Sequence, residues 1–123
     1  MAGGGSGLRV AGIIAATIVL VAMTAVTTWA SLERGVLDNA HLLRDRWFLA
    51  TLADTYFAFG TVAVWMVYRS SGLLRRIAWV IGVLLLGNFA IAAFLLLVLR
   101  SWDPRTGAAG FLLRPKGAAS EMR

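Results

Sequence analysis

The sequence predicts an all-α integral membrane protein with three transmembrane helices and short loops, and three observations carry that prediction. Three nearly uncharged apolar runs, each of twenty residues or more, take up over half of the 123-residue chain. Hydrophobic residues reach 59% and charged residues only 15%, against about 45–50% and about 25% in an ordinary soluble domain. The runs are continuous rather than alternating, which excludes barrel strands. They also hold no proline, since Pro104 and Pro115 both fall in the tail. Helices that satisfy their own backbone are then the expected spanning form. Three helices buried in a soluble protein are excluded, because the rest of the chain is too short to cover them.

The elements follow in order. Residues 1–9, with Met1–Gly7 reading MAGGGSG, form a flexible N-terminus. Val10 to Trp29 is uncharged and predicts a helix over 10–30, since about twenty residues at about 1.5 Å each cross a core of roughly 30 Å. Arg9 and the small-residue step Thr28-Trp29-Ala30 also suit a signal peptide. The run exceeds the roughly 7–15 residues of such a segment, so the helix is expected to be retained. Trp47 to Tyr68 carries one acid, Asp54, and predicts a helix over 47–69. Ile77 to Leu99 carries one amide, Asn88, and predicts a helix over 74–100. Together 10–100 form the transmembrane domain. Trp29, Trp47, Tyr68, Trp79 and Trp102 flank the spans, where amphipathic rings favour the headgroup level.

Between the first two spans, Leu32, Val36, Ala40, Leu43 and Trp47 recur at three- and four-residue steps. They suit a short interfacial helix, and an extended loop is the alternative. Residues 101–123 form a polar, basic tail in which Asp103-Pro104 stops the third helix. Its apolar patch Phe111-Leu112-Leu113 is expected to touch the membrane or a partner, or to remain mobile. Three crossings put Arg9, Arg69, Arg75 and Arg76 on one side and the other eight basic residues opposite. The count favours a cytoplasmic C-terminus. The acid-free 69–76 loop, and Arg9 ahead of the first span, tilt the balance slightly to a cytoplasmic N-terminus.

Polar residues inside the runs are the candidate site. A carboxylate at Asp54 costs about 2.5–3.5 kcal/mol at the bilayer centre, less toward the interface, so it is expected to face another helix and find a partner. Thr51, Asp54, Ala58, Thr61, Trp65 and Tyr68 share one stripe of the second helix. Asn88 lies near the midplane and should point inward too. At matched depth Asp54 stands opposite Thr24, and Asn88 opposite Thr61. Asp54, Tyr56, Asn88, Thr24 and Thr61 thus form a candidate intramembrane polar site. It serves either as a small-molecule or proton-linked pocket, or as interhelical hydrogen bonding worth about 1 kcal/mol per bond. Gly12 and Ala16, and Ala11 and Ala15, are small pairs that allow close helix approach.

No catalytic, cofactor-binding or metal-ligating residues are expected. Cysteine is absent, which excludes disulfides and thiol chemistry. A lone His41 excludes a multi-histidine metal site in one chain and suits the surface better than haem. Gly-rich phosphate loops and nucleophile–base pairs are missing. The net charge of +6 comes from arginines that flank helices, which suits anionic lipid headgroups rather than nucleic acid.

Trp47, Ala50, Asp54 and Tyr56, followed by Trp65, Tyr68, Trp79, Gly87 and Asp103-Pro104, resemble a small uncharacterised membrane family, domain of unknown function 1475, found in plants and bacteria. The likeness runs from about Trp47 to Pro104, and the first helix is similar only in character. Asn88 stands where a small polar residue, often serine, is expected. The resemblance implies three spans with a retained first helix, draws attention to Asp54 and Tyr56, and implies no activity. The functional expectation is a non-enzymatic accessory or packing subunit of a larger membrane complex, or a homo-oligomer. The alternative is an oligomeric small-molecule or proton-linked transporter using Asp54 and Asn88. Expected partners are the lipid bilayer and another membrane protein or a second copy, and the expected place is a bacterial inner membrane.

Overall fold

The computed structural model describes residues 2–114, all of it helices, turns and loops without a strand among the described residues. Pro115, Lys116 and Arg123 of the expected basic tail lie outside the described residues. The α-helices are α1 (Ala2–Glu33), α2 (Arg46–Arg69), α3 (Leu73–Leu86), α4 (Asn88–Ser101) and α5 (Gly107–Leu112), with 3-10 segments at Val36–Arg44 and Pro104–Thr106. Helices α1 and α2 are long and apolar enough to cross a membrane.

Helix α1 covers its expected span and extends back through the glycines that were expected to be flexible. Packing explains the difference. A Cβ at Gly5 would lie 2.5 Å from Pro104 Cβ, so the helix start rests directly on the second 3-10 segment. After α1 the chain takes the short-helix option, as a 3-10 segment pinned by Asp38 Oδ2, which accepts from Gly35 N at 3.0 Å. Asp45 then caps α2, its Oδ1 accepting from Phe48 N at 2.9 Å. Such a cap is worth about 1 kcal/mol.

The third apolar run is not one helix. It breaks at Gly87, whose φ of 52° lies in the left-handed region, where only glycine sits without cost. Helices α3 and α4, 14 residues each, fold back on one another from that point. Trp79 and Phe94 meet edge to face with ring centroids 5.1 Å apart. A Cβ at Gly82 would lie 3.5 Å from Ala90 Cβ. In a continuous helix Trp79 and Phe94 would be separated by about 22 Å. This corrects the single helix expected over 74–100. Each arm is about 21 Å long, short of the roughly 30 Å hydrocarbon core, a length typical of re-entrant or core helices.

The hairpin lies between the two long helices, in the spatial order α1, α4, α3, α2. Helix α4 runs antiparallel to α1, where Gly12 allows close approach: a Cβ there would lie 3.1 Å from the Leu99 side chain. Small Ala16 and Ala92 are both buried. Helix α3 runs back along α2, and Tyr56 Oη donates to Leu84 O at 3.1 Å. The core is Met66, Val83, Ala90, Phe94 and Val98, drawn from α2, α3 and α4. Trp65 adds a second edge-to-face contact on Phe94 at 5.4 Å, each such pair being worth about 0.5–1.5 kcal/mol beyond its buried area.

Because the third run returns, the start of α1, the end of α2, the start of α3, the end of α4 and the tail gather at one end of the molecule. Arg9 ties that end together, donating from Nε to Leu99 O at 2.8 Å and from Nη2 to Arg100 O at 2.7 Å. It thereby satisfies carbonyls that the last turn of α4 leaves open. The 3-10 segment Val36–Arg44 lies at the opposite end, between the end of α1 and the start of α2.

Candidate functional site

The five residues of the expected polar site are not brought together. Thr24 Oγ1 donates to Leu20 O at 2.8 Å and Thr61 Oγ1 to Phe57 O at 3.1 Å. Thr17, Thr51 and Thr55 do the same toward the carbonyl four residues back. These hydroxyls are satisfied within their own helices and need no neighbour. The threonines of the α2 stripe are therefore satisfied locally rather than by a facing helix.

Asp54 is exposed on the half of α2 nearest the 3-10 loop, and nothing among the described residues hydrogen-bonds or pairs with it. The hairpin turn reaches only as far as Tyr56 and Phe59, so the part of α2 before it has no helix beside it to supply a partner. Tyr56 is engaged with the α3 backbone and stacks edge to face on Phe59 at 5.8 Å. Asn88 opens α4 and borders an apolar cavity of about 550 Å³ between α1 and α4. Gly12, Ala15 and Ala16 make room for that cavity, and Trp102 and Phe111 close one end. Asn88 is exposed, lacks a hydrogen-bond partner among the described residues, and is separated from Asp54, which does not line this space.

The gathered end is the most organised polar region. Phe111 of α5 inserts between Trp65 and Trp102, with centroid distances of 5.7 and 5.6 Å. Trp65 Nε1 donates to Leu112 O at 3.0 Å, and Trp102 Nε1 to Gly107 O at 3.1 Å. Arg69 donates to Leu113 O. Arg114 donates from Nε to Tyr68 O at 2.9 Å and lies over the Tyr68 ring at 5.4 Å. The patch Phe111-Leu112-Leu113 is thus seated on its own chain, with Leu112 and Leu113 still exposed. Two indole N–H groups needing acceptors inside apolar surroundings explain why a backbone segment is held there.

Beside this tail, Arg69, Ser70, Ser71, Arg75 and Ser101 ring a second cavity of about 430 Å³, floored by Trp79 and Phe94. In the sequence Arg69 to Arg76 reads only as a basic loop, and nothing gives Ser101 a role. The one signal for their juxtaposition was the turn-forming dipeptide Gly87-Asn88, which was hidden in an otherwise unbroken apolar run. Among the described residues, no group of three or more His, Cys, Asp or Glu side chains could hold a metal ion.

Comparison with known proteins agrees with the resemblance seen in the motifs and extends it over the first helix. The family described as "Protein of unknown function (DUF1475)" matches residues 1–114. No curated protein and no solved structure matches the chain. A match across α1, the 3-10 loop, α2, the folded-back hairpin and the docked tail covers the whole described architecture, and the chain is a member of the DUF1475 family.

Proposed function

We propose that the protein is a multi-pass membrane protein, of a bacterial inner membrane, that works as a non-enzymatic accessory subunit of a larger membrane assembly or of a homo-oligomer. Helices α1 and α2 cross the bilayer, and α3–α4 is a re-entrant hairpin in place of a third crossing. The observation that carries the reading is Asp54: a carboxylate on an apolar helix, exposed and without a partner in its own chain. Its cost in lipid, up to about 2.5–3.5 kcal/mol, is relieved when a neighbouring chain brings a donor.

Charge supports the two-crossing arrangement. Arg9, Arg69, Arg75, Arg76, Arg100, Arg105 and Arg114 gather at one end, with Asp103 as the acid among the described residues there. The other end carries Arg34, Arg44 and Arg46, balanced by Glu33, Asp38 and Asp45. Basic residues favour the cytoplasm, so both ends of the chain are cytoplasmic. Two crossings remove the conflict that three crossings create, in which the tail arginines oppose those of the 69–76 loop. The transporter alternative would need Asp54 and Asn88 on one path, and the chain by itself assembles none.

The test is purification in mild detergent with identification of what co-migrates, repeated for Asp54→Leu. A stoichiometric larger partner or a defined homo-oligomer is expected, and Asp54→Leu should weaken it while the chain itself stays folded. A wild-type chain that remains monomeric and alone in a bilayer mimetic refutes the reading. Absence of any co-migrating protein together with proton or solute flux in vesicles would favour the transporter. The chain lacks cysteine, so single cysteines at Asn39, Ser71 and Ser120 report sidedness directly. Ser71 and Ser120 should label from one face and Asn39 from the other. Labelling of Ser120 with Asn39 would restore three crossings.

A further inference from the structure

We infer that the cavity between the α2–α3 turn and the end of α4 is a binding site for the phosphate of an anionic phospholipid, with the first part of an acyl chain lying on its aromatic floor. The cavity has two chemically distinct walls. One is polar and cationic: Arg69, Ser70, Ser71, Arg75 and Ser101. The other is apolar: Trp79, Phe94, Leu97 and Val98.

The polar wall carries unmet capacity. Ser70 is only 5% exposed, yet its Oγ has no hydrogen-bond partner. Nε of Arg69 is buried and unpartnered as well, although the same guanidinium donates to Leu113 O from another nitrogen. A buried hydroxyl left unmet is destabilising, so the fold tolerates it where a ligand satisfies it. Arg75 lines the same space without a hydrogen bond or ion pair among the described residues. Helix α3 starts here as well. Its N-cap is Gly72, with no side chain closing the first turn, which leaves free N–H groups and the positive end of the helix dipole beside the serines.

A phosphate diester fits this set. It brings negative charge and several acceptor oxygens to two guanidiniums, hydroxyl donors and a helix N-terminus. The adjoining aromatic floor favours a lipid over a free anion, because inorganic phosphate would leave that wall uncovered. The place in the fold agrees, since the site lies at the arginine-rich end that the membrane reading puts at the cytoplasmic headgroup level, where anionic lipids attract basic residues. The inference takes the ligand's source from that reading but does not depend on the accessory role.

The experiment is calorimetric titration of the full chain in neutral detergent with three probes: dioctanoyl phosphatidylglycerol, dioctanoylglycerol of the same chains, and inorganic phosphate. Phosphatidylglycerol should bind at least about tenfold more tightly than either of the others, the difference expected of one or two charge-assisted contacts. Arg75→Gln should lower that affinity by about five- to tenfold, while Arg105→Gln, at a residue that does not line the cavity, should leave it unchanged. Ser70→Ala gives an independent reading. Without lipid it should melt no lower than the parent, because an unmet hydroxyl is removed, and with phosphatidylglycerol it should lose part of the lipid-induced rise in melting temperature. Equal binding of dioctanoylglycerol would reduce the site to an apolar groove and overturn the proposal. Inorganic phosphate binding as tightly as the lipid would overturn the lipid source. Unchanged affinity in both Arg75→Gln and Ser70→Ala would overturn the location.

Discussion

Replacing Gly87 by alanine sets two forms of the same sequence against each other. In the folded-back form residue 87 has φ 52° and ψ −119°, a region that costs a residue with a Cβ about 1–3 kcal/mol. The added Cβ would also lie 2.8 Å from the Phe59 ring, and such overpacking costs typically about 1–3 kcal/mol. Together these destabilise the hairpin by about 2–6 kcal/mol. In a straight helix over 73–101 the same change is favourable by about 1 kcal/mol, through helix propensity. That helix would be about 43 Å long and could cross the bilayer. The expected result is loss of the hairpin and transfer of the tail to the opposite face, seen as a switch in labelling of a cysteine at Ser120 in sealed vesicles. Phe59→Ala in the same chain removes the clash but not the backbone cost, so it should restore only part of the folded-back population. A Gly87→Ala chain with unchanged tail sidedness and unchanged resistance to denaturant would refute the account of Gly87 as the residue that turns the third run.

Three further outcomes are expected. Arg9→Gln removes the donors to Leu99 O and Arg100 O, and should lower stability by about 1.5–3 kcal/mol in denaturant titration of the detergent-solubilised chain, as for other hydrogen bonds to charged groups. Phe111→Ala empties the slot between Trp65 and Trp102 at a cost of up to about 3 kcal/mol, below a full core truncation because Phe111 is only partly buried. Trypsin should then cut at Arg105 faster than in the parent, and an unaltered cleavage rate would count against a docked tail. Asn88→Leu should be close to neutral, within about 0.5 kcal/mol, because the amide is exposed and makes no hydrogen bond among the described residues. A clear loss of stability would assign Asn88 to helix packing after all.

Apolar composition, proline-free runs and the interruptions at 34–45, 70–72 and 102–103 determine that these runs are helical, and where α1 ends, α2 starts and ends, α3 starts and α4 ends, without any tertiary information. So do the caps: Asp45 and Asp103 are acids placed just before helical segments, and each accepts a backbone N–H there. Threonine satisfaction is equally local, since a hydroxyl that bonds its own helix needs no neighbour. The direction of the third run belongs to the tertiary structure. From Ile77 to Leu99 apolar residues occupy every face, so periodicity has nothing to distinguish a buried side from an exposed one. Gly87 is one glycine among several small residues there, and only the structure, through its φ of 52° and the Phe59 ring against its open side, marks it as the turn. Depth along straight helices pairs Asn88 with Thr61, and the turn at Gly87 takes Asn88 off the straight third helix on which that pairing rests. It also carried the end of α4 back to the start of α3, which brings Ser101 to Arg75 across a cavity. Contacts between residues far apart in sequence are made by the path of the chain, and that path was decided by a single left-handed φ that an all-apolar sequence does not announce.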